Sequence, residues 1–248
     1  MPDDHFSTVA RQYAQSRPTY PDALFDWLAT CCEAHRLAWD AGCGNGQASR
    51  ALADRFDRVL ATDLSAEQLA QAPAHERIEY RVAPAERSGL PDHAADLVTV
   101  AQALHWFDLD PFHHEVRRVL APGGVFAAWT YGVQHLEGAE VDAVVQHYYH
   151  AVAGPHWPAG RRHVENGYAE LAFPFAPITP VPKFEIRLRW DFAAFTGYVR
   201  SWSATARLRA QEGDAPLLAF EQALRQAWGD VAMGREVRWP ITLRAGRA

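Results

Sequence analysis

The chain has 248 residues, a length that fits one α/β domain with a modest additional cap and requires no second core. Its formal net charge of −6 at pH 7 argues against non-specific binding to nucleic acid, which needs clustered positive charge, and favours a small-molecule partner. Its three cysteines, two of them adjacent, form no disulfide or zinc-binding pattern and indicate a reducing compartment.

Short strand-like runs alternate with helical patterns through the first half of the chain. Strands are predicted at residues 37–40, 59–63, 78–83, 96–101 and 125–131. Helices are predicted between them at residues 47–55, 66–72 and 111–120, and the last is followed by the helix-stopping Pro-Gly-Gly of residues 122–124. This alternation predicts a doubly wound α/β fold, in which helices cover both faces of a parallel sheet.

Two later segments interrupt this alternation. Residues 137–160 are rich in histidine and aromatic residues, and residues 191–230 are mostly helical in pattern, so both are predicted to be cap elements above the sheet. Further strands are predicted at residues 184–190 and 237–244. The histidines at 113–114 and 147–150 are interpreted as surface or cap residues because no carboxylate or cysteine cluster completes a metal site with them.

A glycine-rich segment, DAGCGNGQ at residues 40–47, follows the first predicted strand. Gly42, Gly44 and Gly46 allow sharp turns and a close approach of a ligand to the backbone, because glycine has no Cβ and tolerates positive φ. Asp63 follows nineteen residues after Gly44, at the end of the second predicted strand. A doubly wound fold places there the carboxylate that accepts hydrogen bonds from ribose hydroxyls. The pattern indicates a nucleoside-cofactor site.

The identity of that cofactor follows from the details of the motif. A nicotinamide fingerprint G-x-G-x-x-G would need a third glycine at position 47, where the chain has Gln47. Asp40 precedes the glycines, and a carboxylate there suits a ligand with an ammonium group better than a pyrophosphate. The sequence therefore favours S-adenosylmethionine as the cofactor.

Six motifs in order make the chain resemble the class I S-adenosylmethionine-dependent methyltransferases, within the branch that includes trans-aconitate methyltransferase. The motifs are Phe6…Ala10…Tyr13…Arg17-Pro18…Tyr20-Pro21, DAGCGNGQ (40–47), DLS…Q (63–68), AE (85–86), QALHWF (102–107) and RVLAPGG (118–124). After residue 131 the resemblance thins to SWS (201–203) and WPITL (239–243), and it carries little information about the acceptor.

The resemblance implies an α/β, doubly wound, mostly parallel seven-stranded Rossmann-like sheet with helical cap elements. It implies one methyltransferase domain over residues 1–248. Within it are an N-terminal lid segment at 1–34, a cofactor-binding core at 35–132, remaining sheet elements with a helical cap at 133–234, and a final strand at 235–248.

The candidate site residues come from the carboxyl ends of the predicted strands, where open α/β sheets bind ligands, and from the resemblance. The residues expected to bind cofactor are Asp40, Gly42, Cys43, Gly44, Gly46, Gln47, Asp63, Leu64, Ala85, Glu86 and Gln102. The catalytic candidates are His105, Trp106 and Tyr13. The residues expected to bind the acceptor are Arg17, Tyr20, Tyr131, Arg200 and Trp202.

The role of His105 stays open at this point. It can act as a base for a hydroxyl or carbon acid, it can pack under the cofactor as a positioning residue, or it can be purely structural. A carboxylate acceptor, with a pKa of about 4, needs no base. A small anion held by Arg17 and Arg200 is the acceptor that the resemblance favours, since the guanidinium fork suits carboxylates.

The sequence thus predicts a methyltransferase that acts on a small molecule and needs no metal. A catalytically silent S-adenosylmethionine-binding protein and a nicotinamide-dependent oxidoreductase are the alternatives. The start of the chain lacks the basic and apolar pattern of a signal peptide, and no run approaches the ~18 apolar residues of a membrane span. A cytoplasmic location away from membranes is therefore expected, and the sequence gives no prediction of the oligomeric state.

Overall fold

A computed structural model of the protein describes residues 18–248, which divide into two compact units. The sheet unit comprises residues 20–132, 162–185 and 240–248. The helical unit comprises, among the described residues, 18–19, 133–161 and 186–239. Both segments predicted as cap elements, residues 137–160 and 191–230, fall within the helical unit.

Strands and helices alternate along the chain as the sequence predicts, with small differences in their bounds. The strands are β1 Leu37–Ala41, β2 Arg58–Asp63, β3 Ile78–Val82, β4 Ala95–Ala101, β5 Leu120–Tyr131, β6 His135–Leu136, β7 Ala176–Pro177, β8 Phe184–Trp190 and β9 Arg235–Arg247. The α-helices are Asp22–Thr30, Gln47–Ala53, Ala66–Ala70, Leu109–Val119, Ala139–His147, Arg161–Glu165, Phe192–Arg200, Ser203–Glu212 and Ala215–Trp228. Strand β5 begins five residues before its predicted start, directly after the helix ends at Val119. The Pro-Gly-Gly of residues 122–124 therefore lies within the strand and not between the helix and the strand, where the sequence predicts it.

The sheet unit has a mostly parallel sheet with the strand order β3-β2-β1-β4-β5-β9. Strands β1 to β5 are parallel to their neighbours, and β9 is antiparallel to β5. The order reverses between β1 and β4, the two strands whose carboxyl ends carry the glycine motif and Gln102. Ligands in doubly wound folds bind at this switch point, so the topology places the predicted motifs where the fold accepts a ligand.

Alternate residues of the central strands belong to two separate buried clusters. Ala38, Val59 and Ala61 lie in one cluster, whereas Trp39 and Leu60 lie in the other. Side chains alternate between the two faces of a strand, so each face of the sheet is covered by its own apolar layer. This double burial explains why the strands read as continuous apolar runs, and it holds their carboxyl ends in a fixed register.

The helical unit contains one helix with a side-chain cap, a π-helical turn and a short strand pair. Asp191 caps the helix Phe192–Arg200, since its carboxylate accepts a hydrogen bond from the Ala194 amide at 2.8 Å. One turn, Tyr148–Val152, is a π-helix. In the same unit, β6 pairs antiparallel with the first residues of β9.

Candidate functional site

The glycine loop, residues 42–46, is anchored to the end of β2 by backbone hydrogen bonds. The amides of Gly42 and Cys43 both donate to the Thr62 carbonyl, at 2.8 and 3.0 Å. The amide of Gly44 donates to Asp63 Oδ2 at 2.8 Å. The loop and the acidic residue of β2, predicted separately from the sequence, are therefore one hydrogen-bonded structure.

The three glycines of this loop all have positive φ, but their surroundings differ. A Cβ on Gly42 would lie 2.7 Å from Ala103 Cβ, and a Cβ on Gly46 would collide with the Tyr80 side chain. Among residues 18–248, a Cβ on Gly44 would meet only Gln68 Oε1, at 3.9 Å. Gly42 and Gly46 are thus required by packing, whereas Gly44 borders open space that a ligand can enter.

Asp63 uses both carboxylate oxygens to order the chain around it. Oδ2 accepts from Gly44, and Oδ1 accepts from the Ser65 amide at 2.8 Å. A carboxylate oxygen has two lone pairs, so each oxygen can accept a further hydrogen bond. The residue is partly exposed and so can meet a ligand hydroxyl.

Two exposed apolar side chains flank Asp63. Leu64, the next residue, is 72% exposed, and Val82, the register partner of Asp63 on β3, is 57% exposed. Large apolar groups left open beside a hydrogen-bonding carboxylate are suited to a flat ring attached to a sugar. Leu64 is one of the residues that the sequence predicts to bind the cofactor. Val82 is not among them, because it ends a strand and belongs to no recognisable motif.

Asp40 is fully buried below the glycine loop. Its Oδ2 accepts from Ser49 Oγ at 2.6 Å and its Oδ1 from Thr99 Oγ1 at 3.0 Å. Burial raises the pKa of Asp40 to about 6, although these hydrogen bonds oppose the increase. A cation arriving near this buried carboxyl would favour its ionised form.

The remaining candidates in and near the loop have structural partners. Cys43 is buried, and burial raises the pKa of its thiol, which argues against a reactive cysteine. Gln47 begins the helix that follows the loop. Ala85 is buried, and Glu86 Oε1 accepts from the Asp108 amide at 3.0 Å, at the start of the next helix. The predicted roles of these four residues in binding the cofactor stay predictions.

The segment after β4 begins with a strained residue. Gln102 has φ +61°, a conformation that non-glycine residues rarely adopt. Its amide donates to the Trp129 carbonyl at 3.0 Å, and its Oε1 accepts from Thr130 Oγ1 at 2.7 Å. Strain held in place by such bonds is typical of ligand sites.

His105 and Trp106 lie in the short 3₁₀ turn Leu104–Trp106 that follows. Trp106 is 72% exposed, and its ring lies 4.7 Å from that of His105. His105 Nδ1 lies 3.3 Å from the hydroxyl of Tyr168. Tyr168 was not predicted from the sequence, because it is 63 residues away from His105 and belongs to no recognisable motif.

Tyr20 and Tyr131 are close to each other in the sheet unit, with ring centroids 6.4 Å apart. The pKa of Tyr20 is well above its ordinary value, first because of burial and then because of Tyr131, Tyr168 and Asp40 nearby. Three tyrosines and the buried carboxyl therefore share one region of this unit. Hydroxyl groups in such a region can donate or accept hydrogen bonds to a polar acceptor.

The other residues expected to bind the acceptor, and the catalytic candidate Tyr13, lie in the helical unit or outside the described residues. Arg200 makes a two-bond contact with Glu221, at 2.7 and 2.8 Å. Trp202 is buried among aromatic side chains, with Tyr149 at 5.5 Å and Trp157 at 5.7 Å between ring centroids. Tyr13 and Arg17 fall outside residues 18–248, and their predicted roles stay predictions.

One histidine differs from its predicted surface position. His113 is buried, with its ring 5.5 Å from Phe175 and 6.1 Å from Phe126. The sequence pattern around it did not separate a buried from an exposed position. Burial lowers its pKa, which keeps the ring neutral.

The described part of the chain has no cluster of three or more metal-ligating side chains. All three cysteines are free thiols. Among residues 18–248, none of the helices is long and apolar enough to span a membrane.

Comparisons with known proteins identify the family of the chain. Residues 39–128 match the family described as a methyltransferase domain. A Dictyostelium discoideum protein described as a methyltransferase is 33% identical over 207 residues, which cover 82% of this chain and 78% of that protein. This similarity extends well beyond the matched domain.

Solved structures give the same result. A structure described as a type II methyltransferase from Anaeromyxobacter dehalogenans is 49% identical with a TM-score of 0.89, covering 93% of this chain and 97% of that one. A methyltransferase structure from Anabaena variabilis, 18% identical with a TM-score of 0.51, covers 90% of this chain and 98% of its own and shares the fold. The chain belongs to the class I S-adenosylmethionine-dependent methyltransferases.

Proposed function

We propose that this chain binds S-adenosylmethionine at the glycine loop and transfers its methyl group to a small molecule. The observation that carries the proposal is the open side of Gly44, the one glycine of the three whose missing Cβ leaves room for a ligand within the part of the chain that the structure describes. Asp63 lies directly beside this space, since it accepts the Gly44 amide. A nucleoside placed there would have the Asp63 carboxylate beside its ribose, where it can accept hydrogen bonds, and the glycine backbone on the adjacent side.

Each end of the cofactor has a chemically suitable partner. Asp63 would accept ribose hydroxyls in charge-assisted hydrogen bonds, and exposed Leu64 would pack on the adenine. Asp40 would stabilise the ammonium group from below the loop, acting through its charge because the carboxyl is fully buried. Gly42, Cys43, Gly46, Gln47, Ala85, Glu86 and Gln102 complete the proposed cofactor set.

The bound cofactor supplies an electrophilic methyl group for in-line attack by the acceptor. The protein contributes orientation and exclusion of water. Trp106 is an exposed aromatic side chain beside His105 and can cover the reacting groups. His105 would take a proton from a hydroxyl or carbon acid, or would only position the acceptor if that acceptor is already ionised.

The chemical class of the acceptor is a more specific proposal than methyl transfer to a small molecule. A small carboxylate is favoured by the trans-aconitate resemblance and by the predicted roles of Arg17 and Arg200. Arg200 already pairs with Glu221 through Nε and Nη2, so a carboxylate acceptor would have to compete with that carboxylate for the two-bond side of the guanidinium. The other proposed acceptor-binding residues, Tyr20, Tyr131 and Trp202, offer hydroxyl groups and an indole.

The experiment is an assay of S-adenosylhomocysteine formation with panels of di- and tricarboxylates, phenols and amines. Arg200→Met is compared with Glu221→Gln, which removes the partner and leaves the guanidinium, while cofactor affinity is measured by calorimetry. We expect carboxylate methylation that falls in Arg200→Met and persists in Glu221→Gln, with unchanged cofactor affinity in both. Methylation restricted to amines or phenols would contradict the carboxylate class. Cofactor binding without turnover on any acceptor would favour the silent binding protein.

A further inference from the structure

Tyr168 contacts His105 although the sequence separates them widely. The hydroxyl of Tyr168 lies 3.3 Å from His105 Nδ1, and the two rings are 5.8 Å apart. Tyr168 is fully buried within the sheet unit, whereas His105 is partly exposed. The tyrosine therefore approaches the imidazole from the protein interior.

Tyr168 is held in this position against local strain. Its φ is +62°, in the left-handed region that is costly for a bulky residue, and the preceding Gly167 also has positive φ. A Cβ on Gly167 would lie 2.6 Å from Thr242 Cγ2, so the turn packs tightly on β9. Strain of this kind persists only where the surrounding structure imposes it, and it concentrates at functional sites.

Backbone hydrogen bonds supply that constraint. Arg244 Nη1 donates to the carbonyls of Tyr168 and Leu171, at 2.7 and 2.8 Å. The Tyr168 amide donates to the His163 carbonyl at 2.8 Å. The backbone of Tyr168 is thus fixed on both sides, which leaves its hydroxyl at a defined point beside His105.

We propose that Tyr168 is a positioning residue for His105, and that its hydroxyl fixes the orientation and the tautomer of the imidazole. The proposal rests on the proposed function only in assigning His105 to the methyl-transfer centre. The hydrogen bond made by one ring nitrogen of a histidine sets which nitrogen carries the proton. The direction of the hydrogen bond between Nδ1 and the Tyr168 hydroxyl therefore sets the state of Nε2. If Nδ1 donates, Nε2 can accept a proton, and if the hydroxyl donates, Nε2 carries the proton.

The test measures the ring itself and needs no acceptor. In ¹⁵N-labelled free protein, long-range ¹H–¹⁵N correlation spectra give the Nδ1 and Nε2 shifts of His105, assigned by their loss in His105→Gln. Spectra are taken over a pH series, and the shifts are compared in the range where they no longer change as the pH rises, which identifies the neutral ring. We expect two widely separated ¹⁵N shifts, typical of one tautomer, in the wild type. In Tyr168→Phe, which keeps the buried ring and removes the hydroxyl, the shifts should move toward each other.

Tyr148→Phe is the matched control, because Tyr148 is also a buried tyrosine, and its hydroxyl lies 3.2 Å from Thr205 Oγ1 in the helical unit. It should leave both His105 shifts unchanged. Averaged shifts in the wild type, a result that does not depend on the folding of any variant, would overturn the proposal. Wild-type shifts retained in Tyr168→Phe would overturn it as well. Calorimetry with S-adenosylmethionine, run in parallel, reports separately on the proposed function and should give the same affinity in all three proteins.

Discussion

Asp63 is the residue on which the cofactor proposal depends most, because it orders the glycine loop and offers lone pairs to a ligand. We expect Asp63→Ala to weaken S-adenosylmethionine binding by about 10- to 150-fold, since hydrogen bonds to a charged group contribute about 1.5–3 kcal/mol. Glu67→Ala, which removes an exposed carboxylate nearby, is the control and should bind normally. Calorimetric titration measures both, and unchanged affinity in Asp63→Ala would remove this residue from the site.

Because the pKa of the buried Asp40 carboxyl is raised, we expect cofactor binding to depend on pH. Its pKa is about 6 in the free protein because of burial, and a bound cation would lower that value. The affinity contributed by Asp40 is therefore present above pH of about 6 and is lost as the pH falls, by up to about tenfold per pH unit. Titrations between about pH 5 and 7.5 should show this slope in the wild type and not in Asp40→Asn. The same slope in both proteins would assign the effect to other groups.

His105 should affect turnover and not cofactor binding. His105→Gln is expected to keep its affinity for S-adenosylmethionine, because the ring lies after β4 and outside the glycine loop. If the ring acts as a base, turnover falls by about 10² or more, with a pH-dependent rate in the wild type. A smaller loss with a flat rate profile identifies positioning. His114→Gln, at an exposed position, is the control. Wild-type turnover in His105→Gln would exclude both roles.

At the scale of elements, the strands were more predictable than the loops that meet them. Strand β8 has its predicted bounds, and β1 to β4 differ from prediction by one residue at one end. The central strand β4 is buried on both faces and is marked by a nearly continuous apolar run, whereas β8 is marked by alternating apolar and polar residues. The contact between Tyr168 and His105 could not be predicted, because it depends on how a turn after the helix Arg161–Glu165 packs on β9.

The helix Leu109–Val119 is joined to the loop after β3 by Glu115. This buried carboxylate accepts from the amide and hydroxyl of Ser88, at 2.7 and 2.6 Å, and from Arg118 at 2.8 Å. Burial alone would raise the pKa of Glu115, but the hydrogen bonds from Arg118 and Ser88 outweigh it and lower the pKa. The stabilisation is therefore complete above the ordinary pKa of about 4.5 and is lost as the pH falls below it.

Glu115→Gln should accordingly lower the free energy of unfolding at neutral pH by about 1–3 kcal/mol, because it leaves buried donors imperfectly paired. Denaturant unfolding at several pH values measures the difference from the wild type, which should shrink below pH of about 4.5. Glu140→Gln, at an exposed position in the helix Ala139–His147, should show little change at any pH. A difference that stays constant into acid would contradict the role of the Glu115 charge.

At the scale of the whole molecule, sequence patterns located the chemistry better than they located the acceptor. The glycine motif and Asp63 could be predicted because a ligand that needs close backbone approach leaves glycines at fixed spacing. Arg200 shows the opposite case, since no local pattern reveals that Glu221, 21 residues later, pairs with its guanidinium. Acceptor recognition depends on such long-range contacts, so it stays a proposal after the fold and the family are known.

The central claim is that the open side of Gly44 receives S-adenosylmethionine. Gly44→Ala adds a methyl group to that space, and Gly213→Ala adds one at a second positive-φ glycine, in the helical unit, with no atom of the described residues within 4 Å of its Cβ. Both variants place a Cβ on a backbone with positive φ, which side chains rarely adopt, so both are strained. Gly213, at φ +79° and ψ −170°, lies in a region that is essentially restricted to glycine, so this control includes a large backbone strain. The added methyl group lies beside the glycine loop in the first variant and in the helical unit in the second.

Calorimetric titration of S-adenosylmethionine into the wild type and both variants is the most direct measurement. We predict that the wild type and Gly213→Ala bind alike, whereas Gly44→Ala loses at least about tenfold in affinity, or about 1.4 kcal/mol. Equal affinity in all three proteins, or no binding to the wild type, would contradict the placement of the cofactor at the glycine loop.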